Sequence, residues 1–171
     1  DWPTNGTEAG KHGSRALLVL ALNAAAELMR YCGCNDTADL CNKKSEILKN
    51  CEWSSCGAKQ TAAMLSLAGC YDEDKAASEI LQGGAEGLST FMSYYLLKTA
   101  AKKDMAETLS VLEEYYGAML KLGATSFWED FNIDWAKNTS PIDEIPEDCK
   151  SDIHGDNGAF CYKGFRHSLC H

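Results

Sequence analysis

The chain has 171 residues, a length that suits one ordinary domain with a hydrophobic core of its own. Its 16 basic and 25 acidic residues give a net charge of −9 and a pI near 4.9, with no basic stripe, so nucleic acid is excluded as a partner. The longest apolar run, residues 16–22, is far shorter than the roughly 20 residues that a membrane-spanning helix needs. The sequence therefore predicts no membrane partner.

The chain begins with a predicted helical hairpin. Residues 14–31 are apolar on nearly every side, which is typical of a helix buried on most of its circumference in an inner layer. Residues 32–36 supply the turn, and residues 37–49 predict a second, more polar helix. One side of that helix carries Leu40, Ile47 and Leu48.

Four more helices are predicted after this hairpin. Residues 58–68 favour a buried helix that ends at Gly69, and residues 72–82 favour one that ends at Gly83. Ser89 or Thr90 can cap the next helix, which runs to about residue 102. The last helix is predicted to start from a capping box, to end near Gly123 and to carry one apolar stripe. The capping box is Asp104 with Glu107, and the stripe is Leu109, Leu112, Tyr116 and Met119.

The character of the chain changes after Gly123. Residues 126–134 are aromatic and acidic, residues 138–148 hold two of the three prolines, and residues 154–164 are rich in turn formers. No segment alternates apolar and polar residues as a strand would. We therefore expect an all-α fold of consecutive helical hairpins over about residues 11–122, followed by an active-site loop region over about residues 123–171.

Nine cysteines are unusual, but their spacing does not match a zinc site. They are interpreted as small buried hydrophobic residues, and a disulfide between the turn at Cys32 and Cys34 and the later Cys51 is left open. The sequence predicts no metal and no cofactor.

Residues 123–135 combine aromatic side chains with carboxylates. Aromatic faces suit the apolar side of a sugar ring, and a carboxylate can act as a general base or bind hydroxyl groups. Taken alone, the pattern equally fits a solvated acidic loop anchored by aromatic residues. The local chemistry permits a glycosidase base without requiring one.

Three segments in the same order resemble the back half of the catalytic domain of bacterial α-L-rhamnosidases. They are residues 59–65 (Lys-Gln-Thr-Ala-Ala-Met-Leu), 87–95 (Gly-Leu-Ser-Thr-Phe-Met-Ser-Tyr-Tyr) and 123–129 (Gly-Ala-Thr-Ser-Phe-Trp-Glu). The opening residues 1–3 (Asp-Trp-Pro) match a dipeptide of that family as well. The resemblance implies a segment of an (α/α)₆ toroid, six hairpins around a cavity, and inverting hydrolysis of terminal α-L-rhamnosides.

The resemblance also implies roles for individual residues. Glu129 corresponds to the general base, and Trp128 and Trp2 to residues of the sugar pocket. Residues 168–171 (Ser-Leu-Cys-His) match the family's Ser-Phe-Asn-His element in the first and last residue, so His171 corresponds to a histidine that contacts the sugar. The family's general acid belongs to a stretch before the Asp-Trp element. We therefore expect the chain to be part of a catalytic domain, with the remainder of that domain and a carbohydrate as its partners, and to be incomplete as an enzyme by itself.

Two other functions remain open. A non-catalytic helical binding or scaffold module would fold as a closed bundle with polar outer faces, whereas a toroid segment should expose a broad apolar flank. A six-hairpin glycosidase with another sugar specificity would keep the toroid and change the substrate, since fold alone does not fix function.

Overall fold

The computed structural model describes residues 6–125, 127–128 and 131–137. These residues form six α-helices and then a short 3₁₀ helix at Ile133–Lys137. The α-helices are α1 (Glu8–Tyr31), α2 (Asn35–Lys49), α3 (Lys59–Leu67), α4 (Glu73–Leu81), α5 (Ser93–Ala100) and α6 (Met105–Lys121). No β-strand occurs in the described part of the chain, so the all-α prediction is confirmed there.

Side-chain caps set the starts of the two longest helices. Helix α1 begins six residues before its predicted start because Thr7 Oγ1 accepts from the Gly10 N–H at 3.0 Å. Asp104 caps α6 as predicted and accepts from the Glu107 N–H at 2.9 Å. The reciprocal half of the capping box differs, since the Asp104 N–H donates to Ala100 O at 3.1 Å.

Three helices end in the same hydrogen-bond pattern, at Gly33 after α1, Gly69 after α3 and Gly123 after α6. After α1, the Cys34 N–H donates to Met29 O at 2.8 Å and the Gly33 N–H donates to Arg30 O at 3.0 Å. This pair of bonds satisfies carbonyl groups of the last turn that have no partner within the helix. The predicted stops at Gly69 and Gly123 are confirmed.

The chain divides into two compact units, Asp1–Ile80 and Leu81–His171. In the first, α1 packs against α2 in an antiparallel hairpin and also against α3. The Ser45 hydroxyl donates to Asn23 Oδ1 at 2.7 Å across the hairpin, and the Thr61 hydroxyl donates to Ala9 O at 2.9 Å. The buried positions are mostly small, including Ala16, Ala26, Ala38, Ala62 and Ala63, which lets the helix backbones approach closely.

In the second unit, α6 packs against α5 and the 3₁₀ helix. Its buried side chains are larger than those of the first unit. The larger of them include Leu96, Val111, Tyr115, Met119, Trp128 and Phe131. This aromatic core lies at the end of α6 from which the predicted active-site loop departs.

The first helix is not buried on most of its circumference by the described residues, contrary to expectation. Helix α1 buries one narrow stripe, at Ala16, Val19 and Ala26, while Leu17 is 52% exposed and Leu28 is 57% exposed. Packing against α2 and α3 uses the side of α1 with small residues because these allow the closest helix contact. The side with large apolar residues is left facing solvent.

In α2 and α6, the structure buries mostly other residues than the apolar ones noted in the sequence. In α2 the buried residues are Ala38 and Ser45, whereas Leu40 and Ile47 are more than half exposed. In α6, Leu109 is 51% exposed and Leu112 is 37% exposed. The stripe that α6 buries is Thr108, Val111, Tyr115 and Met119. Of the predicted set, Met119 alone is buried.

No helix within the described residues is both long enough and apolar enough to cross a membrane.

Candidate active site: the aromatic loop that follows α6

The loop begins at a fixed turn. Gly123 has φ of +91°, a value that residues with a Cβ atom rarely adopt, and the Ala124 N–H donates to Met119 O at 3.0 Å. Because Ala124 is also buried, the first residues of the loop are attached firmly to the last turn of α6.

Two buried aromatic residues hold the loop on either side of the Glu129–Asp130 pair. Trp128 and Phe131 are each 2% exposed, and their ring centroids lie 5.6 Å apart at an interplanar angle of 61°. Tilted aromatic pairs at such a distance are favourable beyond their buried area, by about 0.5–1.5 kcal/mol. The two acidic residues between them lie outside the described residues.

Tyr115 joins this loop to α6. Its side chain is fully buried, and its hydroxyl donates to Phe131 O at 2.7 Å. Its ring lies 5.3 Å from that of Phe131, at 65°. The same hydroxyl is 3.3 Å from Thr90 Oγ1, so one side chain contacts both the segment before α5 and the loop after α6.

A second tyrosine supports the outer part of the loop. The Tyr116 hydroxyl is hydrogen-bonded to Ser93 Oγ, and its ring lies 5.2 Å from that of Phe127 at 70°. Phe127 itself is 54% exposed. The loop therefore presents one aromatic ring to solvent and buries the next, Trp128.

The structure describes one of the four predicted site residues. Trp128 belongs to the packed cluster with Phe131, and its ring is covered, so its packing positions the loop. Direct contact between Trp128 and a sugar stays a prediction. Glu129, Trp2 and His171 lie outside the described residues.

Three buried polar atoms have no hydrogen-bond partner among the described residues: Ser89 Oγ in the second unit, and one atom each of Glu79 and His12 in the first. Glu79 Oε1 accepts from the Tyr71 hydroxyl at 2.9 Å, while its Oε2 is buried without a hydrogen-bond partner among the described residues. His12 Nδ1 is in the same state, and its ring centroid lies 6.0 Å from that of Trp53. Ser89 lies in the segment 87–95 and does not cap α5, whose N-cap is Met92 without a side-chain hydrogen bond.

The described cysteines differ from their predicted state. Cys32, Cys34, Cys51 and Cys56 are exposed free thiols, so the buried-hydrophobe interpretation is wrong for these four, while Cys41 and Cys70 are free thiols that are partly buried. Burial raises the pKa of the Cys70 thiol, with Lys49 acting in the opposite direction.

The disulfide left open between Cys32 or Cys34 and Cys51 does not fit this fold. The cysteines flank α2 at opposite ends, and 15 helical residues span about 22 Å. A disulfide requires Cα atoms within about 7 Å. Within the described residues, no group of His, Cys, Asp or Glu side chains is arranged to hold a metal ion.

Sequence reasoning did not find Tyr115, Thr90 or Ser93 as functional candidates. Tyr115 precedes one member of the predicted apolar stripe of α6, and its partner is a backbone carbonyl, which no sequence pattern marks. The available signal was the pair of adjacent tyrosines on a helix that leads directly into an aromatic loop.

In comparisons with known proteins, no family model, no curated protein and no solved structure matched this chain. The resemblance to α-L-rhamnosidases therefore stays an expectation from the sequence segments alone.

Proposed function

We propose that this chain forms part of a glycoside hydrolase that resembles the inverting α-L-rhamnosidases, with Glu129 as its general base. The observation that supports this best is the anchoring of the loop. Trp128 and Phe131 are buried on both sides of the Glu129–Asp130 pair, which is what a base held in a fixed position requires.

A second observation concerns the segments on which the resemblance rests. The rest of α5 and all of α6 lie between the segments 87–95 and 123–129. Tyr115 and Tyr116 nevertheless link residues of the segment 87–95 to the loop that contains residues 123–129. Two separate motifs that meet around one loop are typical of a site built from several elements. This arrangement supports a shared role for the two segments.

The exposed apolar faces support a toroid segment over a closed bundle. A closed binding module is expected to present polar outer faces, but α1 exposes Leu17, Leu18 and Leu28 and α6 exposes Met105, Leu109 and Leu112. In a hairpin toroid, each such face would be covered by a neighbouring hairpin.

The proposed reaction needs two carboxyl groups. The Glu129 carboxylate takes a proton from a water molecule, whose oxygen bonds to the anomeric carbon as the glycosidic bond breaks on the opposite face. A carboxylic acid donates a proton to the departing oxygen, and the two carboxyl groups stand roughly 6.5–9.5 Å apart so that the water fits between them. The resemblance assigns that acid to a segment outside this chain. Phe127, which is half-exposed beside Tyr116, is the aromatic ring that this loop offers to a sugar face.

The test is Glu129→Gln in the protein that contains the whole catalytic domain. We expect kcat for a p-nitrophenyl α-L-rhamnoside to fall about 10²–10⁴-fold, because the amide cannot accept the proton of the attacking water. The acidic limb of the pH profile of kcat/KM should disappear with it. NMR of the parent reaction should show the β anomer as the first product.

Glu113→Gln is the matched control, since Glu113 is an exposed residue of α6 and loses the same charge. Its activity should equal that of the parent protein. If Glu129→Gln keeps full activity, the assignment of the base is wrong. If the parent hydrolyses another glycoside and no rhamnoside, the six-hairpin glycosidase of different specificity is the better conclusion.

A further inference from the structure

We propose that Tyr115 is a positioning residue that clamps the acidic loop, through a hydroxyl shared between Phe131 and Thr90. The clamp itself rests on the contacts within the second unit. Its consequence for catalysis rests on the function proposed above for Glu129.

The side chain of Tyr115 is held in place on all sides, which suits a residue that fixes the loop. The side chain is 0% exposed, and its ring packs edge-on against Tyr116 at 5.2 Å and tilted against Phe131 at 5.3 Å. The phenol is thus packed between two rings and shielded from solvent. Its hydrogen bond of 2.7 Å to Phe131 O lies wholly within the protein.

The number of hydroxyl hydrogens decides which group donates in each contact among Thr90, Tyr115 and Phe131. A tyrosine hydroxyl has one hydrogen, and that of Tyr115 goes to Phe131 O. In the 3.3 Å contact with Thr90, the Thr90 hydroxyl must therefore donate and Tyr115 must accept. Thr90 supplies a bond that orients the phenol toward the loop.

The neighbouring tyrosine has a different partner, which makes it a natural comparison. The Ser93 hydroxyl donates to Thr90 O at 2.9 Å, so the Tyr116 hydroxyl must donate to Ser93 Oγ. Its hydrogen bond connects α6 to α5, whereas that of Tyr115 connects α6 to the loop. The two hydroxyls can be removed one at a time without losing either ring.

The clamped carbonyl belongs to a residue two positions after Glu129. Fixing Phe131 O limits how far the backbone on either side can move, and a base that is displaced by 1 Å can lose much of its catalytic effect. Without the Tyr115 hydroxyl, Phe131 O would lose a buried hydrogen bond. We therefore expect the loop to open more often, with its aromatic rings still packed.

The first measurement is hydrogen exchange at the backbone amides of residues 127–134, in this chain as it stands. Tyr115→Phe should increase exchange there about tenfold, which corresponds to the loss of one buried hydrogen bond. Tyr116→Phe, the matched control, should leave exchange in that segment within about twofold of the parent. Equal exchange in Tyr115→Phe and the parent would overturn the clamp.

The second measurement is steady-state kinetics in the protein that contains the whole catalytic domain. Tyr115→Phe should lower kcat about tenfold and change KM less than twofold, because the hydroxyl fixes the loop and does not touch the sugar. A rise in KM with kcat unchanged would overturn the positioning role. If the parent protein has no rhamnosidase activity, the proposed function is wrong. Faster hydrogen exchange of the loop in Tyr115→Phe would still establish the clamp in that case.

Thr90→Val keeps the test decisive if Tyr115→Phe fails to fold. Valine preserves the shape of Thr90 and removes the hydroxyl that donates to Tyr115. We expect about threefold faster exchange in residues 127–134. Unchanged exchange in a folded Thr90→Val protein would count against the shared hydroxyl.

Discussion

Two glycines of the second unit show how differently a single methyl group acts at two backbone positions. Gly84 has φ of +59°, and a Cβ there would lie 2.6 Å from Glu114 Oε2, the oxygen that accepts from the Ala85 N–H at 2.8 Å. Gly117 lies within α6 with nothing within 4 Å of the Cβ position. The first position requires glycine, and the second does not.

We expect Gly84→Ala to destabilise the chain by about 1–2 kcal/mol, through left-handed backbone strain and displacement of the Glu114 carboxylate. Gly117→Ala should stabilise it by about 0.5–1 kcal/mol, since alanine favours the helix and meets no obstacle. Urea unfolding of both variants, followed by circular dichroism, measures the two effects. Shifts in the same direction would contradict this account of the two backbones.

A site residue could be predicted where it belongs to a sequence motif. It could not be predicted where its role depends on a hydrogen bond to a backbone group. The segment 123–129 drew attention to Trp128, which the structure places in the packed cluster with Phe131. Tyr115 escaped prediction because its role depends on Phe131 O, which approaches it only after the chain has folded. The periodicity of a helix indicates which side chains share a face. It does not indicate where the backbone carbonyl of a later loop will lie.

At the scale of elements, the order of the helices and some of their ends were predictable, and their buried faces were not. Gly69, Gly123 and the Asp104 cap mark helix ends through local chemistry, which the sequence contains. The face of α6 is set by its neighbours instead. Thr108 can be buried there because its hydroxyl donates to Asp104 O, although its polarity did not favour burial.

Adjacent residues of α6 test which face it buries. Val111→Ala should destabilise the chain by about 2 kcal/mol, because Val111 is buried and the change leaves a cavity. Leu112→Ala removes more carbon from an exposed position and should cost less than about 1 kcal/mol. The comparison is made by thermal unfolding at equal protein concentration. A larger loss of stability in Leu112→Ala than in Val111→Ala would show that α6 buries the apolar stripe expected from periodicity.

At the scale of the whole molecule, the prominent feature is apolar surface that the described residues leave uncovered. Helix α1 exposes Leu17, Leu18 and Leu28 on the sides away from its small-residue stripe, and Tyr31 follows at its last position. The sequence contains enough information to show that α1 is apolar around most of its circumference. It cannot show which side is covered, because that depends on surfaces beyond the hairpin itself.

This surface predicts how the purified chain behaves. We expect it to bind a hydrophobic dye and to self-associate at micromolar concentration, since uncovered apolar side chains gain free energy by leaving water. The double change Leu17→Glu and Leu28→Glu should restore the monomer and reduce dye binding several-fold, with the helix content unchanged because both side chains already face solvent. Light scattering and far-ultraviolet circular dichroism measure the two properties.

Thr37→Glu controls for added negative charge, because Thr37 is exposed in the first turn of α2 and lies outside the apolar face. Self-association should persist in this variant, since one charge away from the face leaves the contact between apolar side chains intact. If the parent chain is monomeric and binds no dye, the apolar face of α1 does not drive association. The closed binding module would then gain support over the toroid segment, because a module complete by itself has no face that needs a neighbouring hairpin.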